Sequence, residues 1–402
     1  MLQNKVPNVR FSKYLDIWKT TKLNRIAEII GGGTPDTKQF SYWNGGINWF
    51  SPTEVGKTVY LTKSEKTISQ LGLQKSSAKL LPAFKTILFT SRAGIGDVGI
   101  LTEESATNQG FQSLVVNEVT DVYFLYSYSD KIKKYALKHS AGSTFLEISG
   151  KELGKMDLSI PSLQEQTAIG SLFRTLDDLL TSYKDNLTNY QSLKATMLSK
   201  MFLKAGQTFP DIRLDGFEGE WEKLKLREVV HTNPKSELPE NFKYIDLESV
   251  VGTRINKIRE ERRESAPSRA QRLAKKGDVF YQTVRPYQKN NYLFKLDEID
   301  YVFSTGYAQL RPIFKRCDSD FLLILLQNNR FLSKVLDRCT GTSYPAINVN
   351  DLIEILIAIP SYEEQQAIGS YFSNLDNLIN AHQEKISQLE TLKKKLLQDM
   401  FI

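Results

Sequence analysis

Two stretches of this chain carry residue types at a spacing that could hold a phosphate or a nucleotide. Gly56-Lys57-Thr58 matches the end of a phosphate-cradling loop, in which backbone N–H groups and a lysine surround the anion. That loop needs a glycine five residues earlier, and Ser51 stands there. The residues that follow, Val59 to Thr62, favour a strand over the helix whose N-terminus would complete the site. Gly94, Gly96 and Gly99 spell G-x-G-x-x-G, but the segment after them is too short and broken for the crossover helix of a dinucleotide domain. The expectation is a glycine-bearing loop between two strands. His139, His231 and His382 are scattered, and Cys317 and Cys339 form no CxxC pair. The pattern therefore offers no metal set, no Ser/His pair and no disulfide scaffold. The Asn/Asp-Pro-Pro-Tyr/Phe tetrapeptide of amino-methyltransferases does not occur.

A different chemistry is better represented. The net charge is +7 and the isoelectric point about 9.0, which suits a polyanionic partner. Contact with nucleic acid calls for Lys and Arg at phosphates and for Arg, Asn, Gln, Ser or Thr at base edges. Thr90, Ser91 and Arg92 end an apolar strand just before the glycine loop. Gln282, Thr283 and Arg285 occupy the matching place later in the chain, followed by Tyr287, Gln288, Lys289 and Asn290. Gly142-Ser143-Thr144 and Gly341-Thr342-Ser343-Tyr344 are second candidates, because small hydroxyl residues let a backbone approach closely. Residues 256–276 hold eight Lys or Arg against three Glu, with Arg269, Arg272, Lys275 and Lys276 uninterrupted by an acid. That run reads either as a phosphate-facing strip or as a solvated helix face.

The elements that must position these residues come in two copies. Residues 160–180 and 359–379 share 13 of 21 aligned positions at a fixed offset of 199 residues, half the chain length. This is a tandem duplication of a unit of about 200 residues. Ser162 with Glu165, and Ser361 with Glu364, form the S-x-x-E capping box, in which the Ser oxygen takes a backbone N–H and the Glu reaches back. Pro161 and Pro360 stop the strand before each box. No proline follows as far as Phe202 or Phe401, so each copy predicts a helix of roughly 40 residues, about 60 Å long.

Leu176, Tyr183, Tyr190 and Met197 fall seven apart, matched by Leu375, His382, Leu389 and Leu396. A second stripe holds Leu180, Leu187 and Met201, matched by Ile379, Ile386 and Met400. Two stripes on one face predict a seam, and two copies in one chain predict an antiparallel coiled coil. His382 reads as a tolerated polar position in that seam.

Ahead of each helix the sequence changes character. Runs at 84–90, 112–116 and 121–126, and at 278–284, 291–296 and 309–313, predict strands of a mixed domain with a curved sheet and long loops. Fainter anchors repeat here too. Arg10 and Trp18 parallel Arg213 and Trp221, and Gly110-Phe111 parallels Gly306-Tyr307. The expected architecture is α+β: two pseudo-symmetric mixed domains at 1–157 and 206–356, joined by coiled-coil helices at 158–205 and 357–402. With 41% hydrophobic and 25% charged residues in 402, the chain has the composition of a folded soluble protein. No run of 18 apolar residues predicts a membrane span, and the N-terminus lacks the apolar core of a signal peptide. A reducing cytoplasm is the expected location.

The doubled IPSxxEQxAI at 160–169 and 359–368, the L-D-x-L after each, and the coiled coil resemble the specificity subunit of a Type I restriction–modification system over essentially the whole chain. GGGTP at 31–35 is similar to an opening seen in one class of target-recognition domains, and GDVFYQTVRPYQKN at 277–290 resembles a strand and loop of another. The resemblance implies two target-recognition domains, each reading half of a split double-stranded DNA site, with helix length setting the spacer. It implies a chain without catalysis of its own. Two adenine methyltransferase subunits and two restriction and translocase subunits would dock on it, bringing S-adenosylmethionine, ATP and magnesium. Two other functions remain open at this point: a coiled-coil scaffold whose domains bind protein, and a stand-alone DNA-modifying enzyme.

Overall fold

A computed structural model describes residues 6–92, 94–142, 146–341 and 343–402. The chain divides into two units, one of residues 1–184 and 384–402, the other of residues 185–383. The division falls inside the two long helices, Leu163–Lys200 and Tyr362–Asp399, and not at their ends as the sequence led us to expect. The reason is packing: the C-terminal part of each helix is cemented into the unit that its own N-terminal part does not belong to.

In the first unit Phe401 sits against Phe124, Tyr128 and Phe173 at ring distances of 5.5, 4.7 and 5.7 Å. Lys393 pairs with Asp177 at 2.5 Å, and Val9 donates its N–H to the Asp399 carbonyl at 3.0 Å. In the second unit Phe202 takes the same place against Trp221, Phe321 and Phe372 at 5.9, 5.8 and 6.3 Å. Lys194 pairs with Asp376 at 2.5 Å, and Ile212 donates to the Lys200 carbonyl at 3.1 Å. Within each unit the two helix segments therefore run antiparallel. Of the expected seam, Leu176, Leu375 and Leu389 are buried, while Tyr183, Tyr190, Met197, His382 and Leu396 are half-buried. The His382 ring meets the Tyr190 ring edge-on at 5.2 Å, as a packed polar position should.

The repeated motif builds one frame twice. Lys19–Lys22 pairs antiparallel with Asp157–Ile160, and Glu222–Lys225 pairs likewise with Leu356–Ile359. Residues 158–160 and 357–359, which the expected domain bounds grouped with the helices, are the strand that the proline was expected to stop, held by this ladder. Beyond the proline, Gln166 donates to the Pro161 and Val119 carbonyls at 3.1 and 3.2 Å and accepts from the Asp121 N–H at 3.1 Å. Gln365 does the same with Pro360, Arg316 and Asp318 at 3.0, 3.2 and 3.0 Å. Asp121 and Asp318 then cap the helices Val122–Ser127 and Ser319–Gln327.

The run at 121–126 was expected as a strand and is a helix. Its aromatic residues favour a strand locally, but the Asp121 cap and burial of Tyr123, Phe124 and Leu125 decide otherwise. The capping boxes are half-formed. Ser162 and Ser361 accept from the N–H of Glu165 and Glu364 at 3.4 and 3.3 Å, while both carboxylates turn to arginines.

The sheets on these frames differ between the units, and neither unit has the single curved sheet expected. The first unit carries a five-stranded sheet, ordered Ala27–Gly31, Gln112–Val116, Thr86–Phe89, Val98–Leu101, Tyr60–Leu61, and a three-stranded one. The second carries two four-stranded sheets. One is ordered Val230–Thr232, Tyr307–Pro312, Val279–Gln282, Tyr292–Leu293. The other is ordered Arg259–Arg262, Asn241–Ile245, Tyr301–Ser304, Ala270–Leu273. Gly56 lies in a turn before the strand Tyr60–Leu61; Gly94 and Gly96 lie between the strands Thr86–Phe89 and Val98–Leu101, and Gly99 is inside the second. Neither has the helix that a phosphate or dinucleotide loop would need.

Candidate nucleic-acid interface

The strand Val279–Gln282 is buried along its whole length, and the chain leaves it through polar residues. The first two of these point inward. The Gln282 backbone N–H donates to Asn291 Oδ1 at 2.9 Å. Its Nε2 donates to the Val284 carbonyl and to Gln288 Oε1 at 2.6 and 2.8 Å. Thr283 donates its hydroxyl to the Gly306 carbonyl at 2.8 Å. Both residues are buried, so they shape the loop and cannot read a base edge, contrary to the expectation.

The loop beyond them is bracketed by two left-handed residues, Arg285 (φ 54°) and Lys289 (φ 55°), around a single helical turn at Pro286–Gln288. A non-glycine residue with positive φ carries strain that the surroundings must hold in place. Lys289 is held by donation to the Gln327 carbonyl and Asn329 Oδ1 at 2.9 and 2.5 Å, and burial lowers its pKa. Asn290 Oδ1 accepts from the Gly252 N–H at 2.9 Å. Lys289 and Asn290 therefore anchor the loop to its own unit, and Tyr287, Gln288 and Arg285 remain to face a ligand. Tyr287 is 50% exposed.

The second candidate segment lies against this loop. Thr340 and Val284 both bridge to Ala346, and the Arg285 N–H donates to the Pro345 carbonyl at 2.7 Å. The Arg285 guanidinium lies 4.3 Å above the Tyr344 ring. Tyr344 is 63% exposed and Ser343 is exposed; Thr342 lies outside the described residues.

The first unit repeats the scaffold with other residues. Ser91 donates its N–H to Gly110 and accepts at its carbonyl from Ile148, as Thr283 does with Gly306 and Ile347. Arg92 and Ala141 both bridge to Glu147. Thr90 and Ser91 are buried, and the Thr90 hydroxyl ties the glycine loop by donating to the Gly94 carbonyl at 2.6 Å. These two are structural also, which leaves Arg92 as the candidate there. Ser143 and Thr144 lie outside the described residues. A Cβ on Gly96 would come within 2.3 Å of Lys133, so this loop is seated on the helix Ser129–His139. That helix carries Lys131, Lys133, Lys134 and Lys138, a basic run that the sequence analysis did not single out.

The basic segment 256–276 is not a helix face. It forms the strands Arg259–Arg262 and Ala270–Leu273 in one four-stranded sheet. Arg269 and Lys275 are exposed, and Lys276 pairs with Asp297 at 2.8 Å. Arg272 is half-buried with its Nε unpartnered among the described residues, and burial lowers its pKa. Arg259 is held by Asp246 at 2.9 Å and lies 5.1 Å above the Tyr244 ring.

Two domains of one ancestry, each presenting a basic loop at the end of a buried strand on a helical frame, define a tandem DNA-specificity module. The family model for the Type I restriction modification DNA specificity domain matches residues 16–195 and 218–391, and the chain belongs to that family. The MjaIX specificity subunit of Methanocaldococcus jannaschii is 25% identical over 94% of this chain and 91% of its own length. The EcoR124I/EcoR124II specificity subunit of Escherichia coli is 30% identical over 42% of this chain and 43% of its own. The crystal structure of the S subunit from M. genitalium shares the fold, with a TM-score of 0.63 and 15% identity over 99% of both chains.

Proposed function

We propose that this chain is the sequence-specific, non-catalytic DNA-binding subunit of a Type I restriction–modification assembly, each unit reading one half of a bipartite double-stranded site. The observation that carries it is the contrast between frame and reader. The Arg–Glu, Gln and Asp contacts recur in both units, while sheets and loops differ, as two half-sites of different sequence require. Arg92, Arg285, Tyr287, Gln288 and Ser343 supply base contacts, with Tyr344 stacked on Arg285; Arg269, Arg272, Lys275 and Lys276 supply phosphate contacts. Binding would then weaken steeply with salt.

Partner docking has its own support. Leu179 and Leu392 are 42% and 45% exposed in the first unit, and Leu193 and Leu378 are 37% and 41% exposed in the second. They are repeat partners lying just off the buried stripes. Apolar stripes flanking a helix pair suit amphipathic helices of another protein. Two methyltransferase subunits, one per unit, fit the duplication; two restriction subunits would complete the assembly. S-adenosylmethionine, ATP and magnesium would be bound by those partners.

The test is to co-express the chain with the neighbouring methyltransferase subunit and map modified adenines across the host genome. One bipartite motif, methylated on both strands and split by degenerate bases, is the expected result. No new methylation from soluble, associated proteins would favour the protein-binding scaffold instead.

A further inference from the structure

Resting on that function, we propose that the second unit reads a guanine with Arg285, and that Tyr344 is the positioning residue that fixes the guanidinium for it. Four features converge on this pair. The Arg285 backbone is left-handed, which turns the side chain out of the strand direction. Its N–H is pinned to the Pro345 carbonyl at 2.7 Å, and its carbonyl accepts from the Gln288 N–H at 3.0 Å. The guanidinium is stacked 4.3 Å from the Tyr344 ring centre. Among the described residues it forms no ion pair, in contrast to Arg213, Arg259, Arg311 and Arg316 of the same unit.

An arginine that has lost rotamer freedom to a stack, yet keeps its donors free, meets the requirement for a fork aimed at two acceptors. In the major groove only guanine offers that pair, O6 and N7. Stacking on an exposed ring occupies one face of the planar guanidinium and leaves its edge available.

The experiment uses the full chain with its methyltransferase partner and maps methylated motifs for wild type, Arg285→Ala, Arg285→Lys, Tyr344→Ala and Tyr344→Phe. One guanine position in one half-site should become degenerate in Arg285→Ala and Arg285→Lys. It should relax in Tyr344→Ala but remain fixed in Tyr344→Phe, which keeps the ring. Binding to DNA carrying 7-deazaguanine at that position should weaken about tenfold or more for wild type, and hardly at all for Arg285→Ala. A motif left unchanged by Arg285→Ala, or one with no guanine in the affected half, overturns the guanine assignment while the subunit function stands. Equal behaviour of Tyr344→Ala and wild type overturns the positioning role. A wild-type chain that directs no methylation strikes the function itself.

Discussion

Arg10 and Glu165 form a buried two-pronged ion pair, Nε to Oε1 at 2.7 Å and the terminal nitrogen to Oε2 at 2.7 Å, across 155 residues of sequence. Arg213 and Glu364 repeat it at 2.9 and 2.6 Å. The hydrogen bonds to the carboxylate hold the Arg10 pKa above its ordinary value. Each pair ties the segment entering a unit to the first turn of its long helix. Both glutamates are 1% exposed, so removing one leaves an arginine charge largely shut away from water. Glu165→Ala should cost about 3–5 kcal/mol. Hydrogen exchange should show lost protection over residues 121–127 and 157–173 and unchanged protection over their counterparts. Equal loss in both units would refute independent frames.

Gly170 and Gly369 lie in mid-helix, where alanine normally stabilises. Here a Cβ would stand 2.4 Å from Asp121 Oδ1 or 2.9 Å from Asp318 Oδ1, the caps of the neighbouring helices. Gly170→Ala should therefore destabilise its unit by about 1–3 kcal/mol, and Gly369→Ala its own. A higher melting temperature in either variant would contradict the close approach.

Burial pushes the phenols of Tyr123, Tyr126, Tyr128, Tyr281 and Tyr307 well above their usual value. Above about pH 10 the unfolded chain loses phenolic protons that the folded chain keeps. Stability is thus fully present below pH 10 and falls as pH rises beyond it. Absorbance at 295 nm should show at least five of the 18 tyrosines un-ionised until the chain unfolds. Smooth titration of all of them without loss of structure would exclude this burial.

Helix length can be tested without breaking either unit. Seven residues inserted after Lys184 and seven after Gln383 leave Asp177–Lys393 and Asp376–Lys194 within their own units. The methylated motif should gain degenerate bases between two unchanged half-sites. An unaltered spacer would mean the helices do not set the distance.

Much of the frame was legible because duplication doubled every signal: the proline stop, the serine cap, the heptads. The partners were not legible. Glu165 reads as the second half of a capping box until Arg10, far away in sequence, claims it. Thr90, Ser91, Gln282 and Thr283 read as readers because they are polar and follow a strand, yet each is buried in the turn that aims the arginine beyond it. Residues 121–126 read as strand from their aromatic content, yet fold as helix because the Asp121 cap is locked by Gln166 of another helix. In each case a tertiary contact outweighed a local preference, and single-copy composition carries no trace of it.

The first unit is assembled from both ends of the chain. In genetic terms, a stop codon at position 384 would lie some 200 codons downstream of residue 184, yet it would remove Lys393 and Phe401 from the unit that holds Phe124 and Asp177. The adjoining unit would lose nothing. A nonsense lesion at that codon should thus behave as a defect of the upstream reader, and mapping by position alone would assign it to the wrong half.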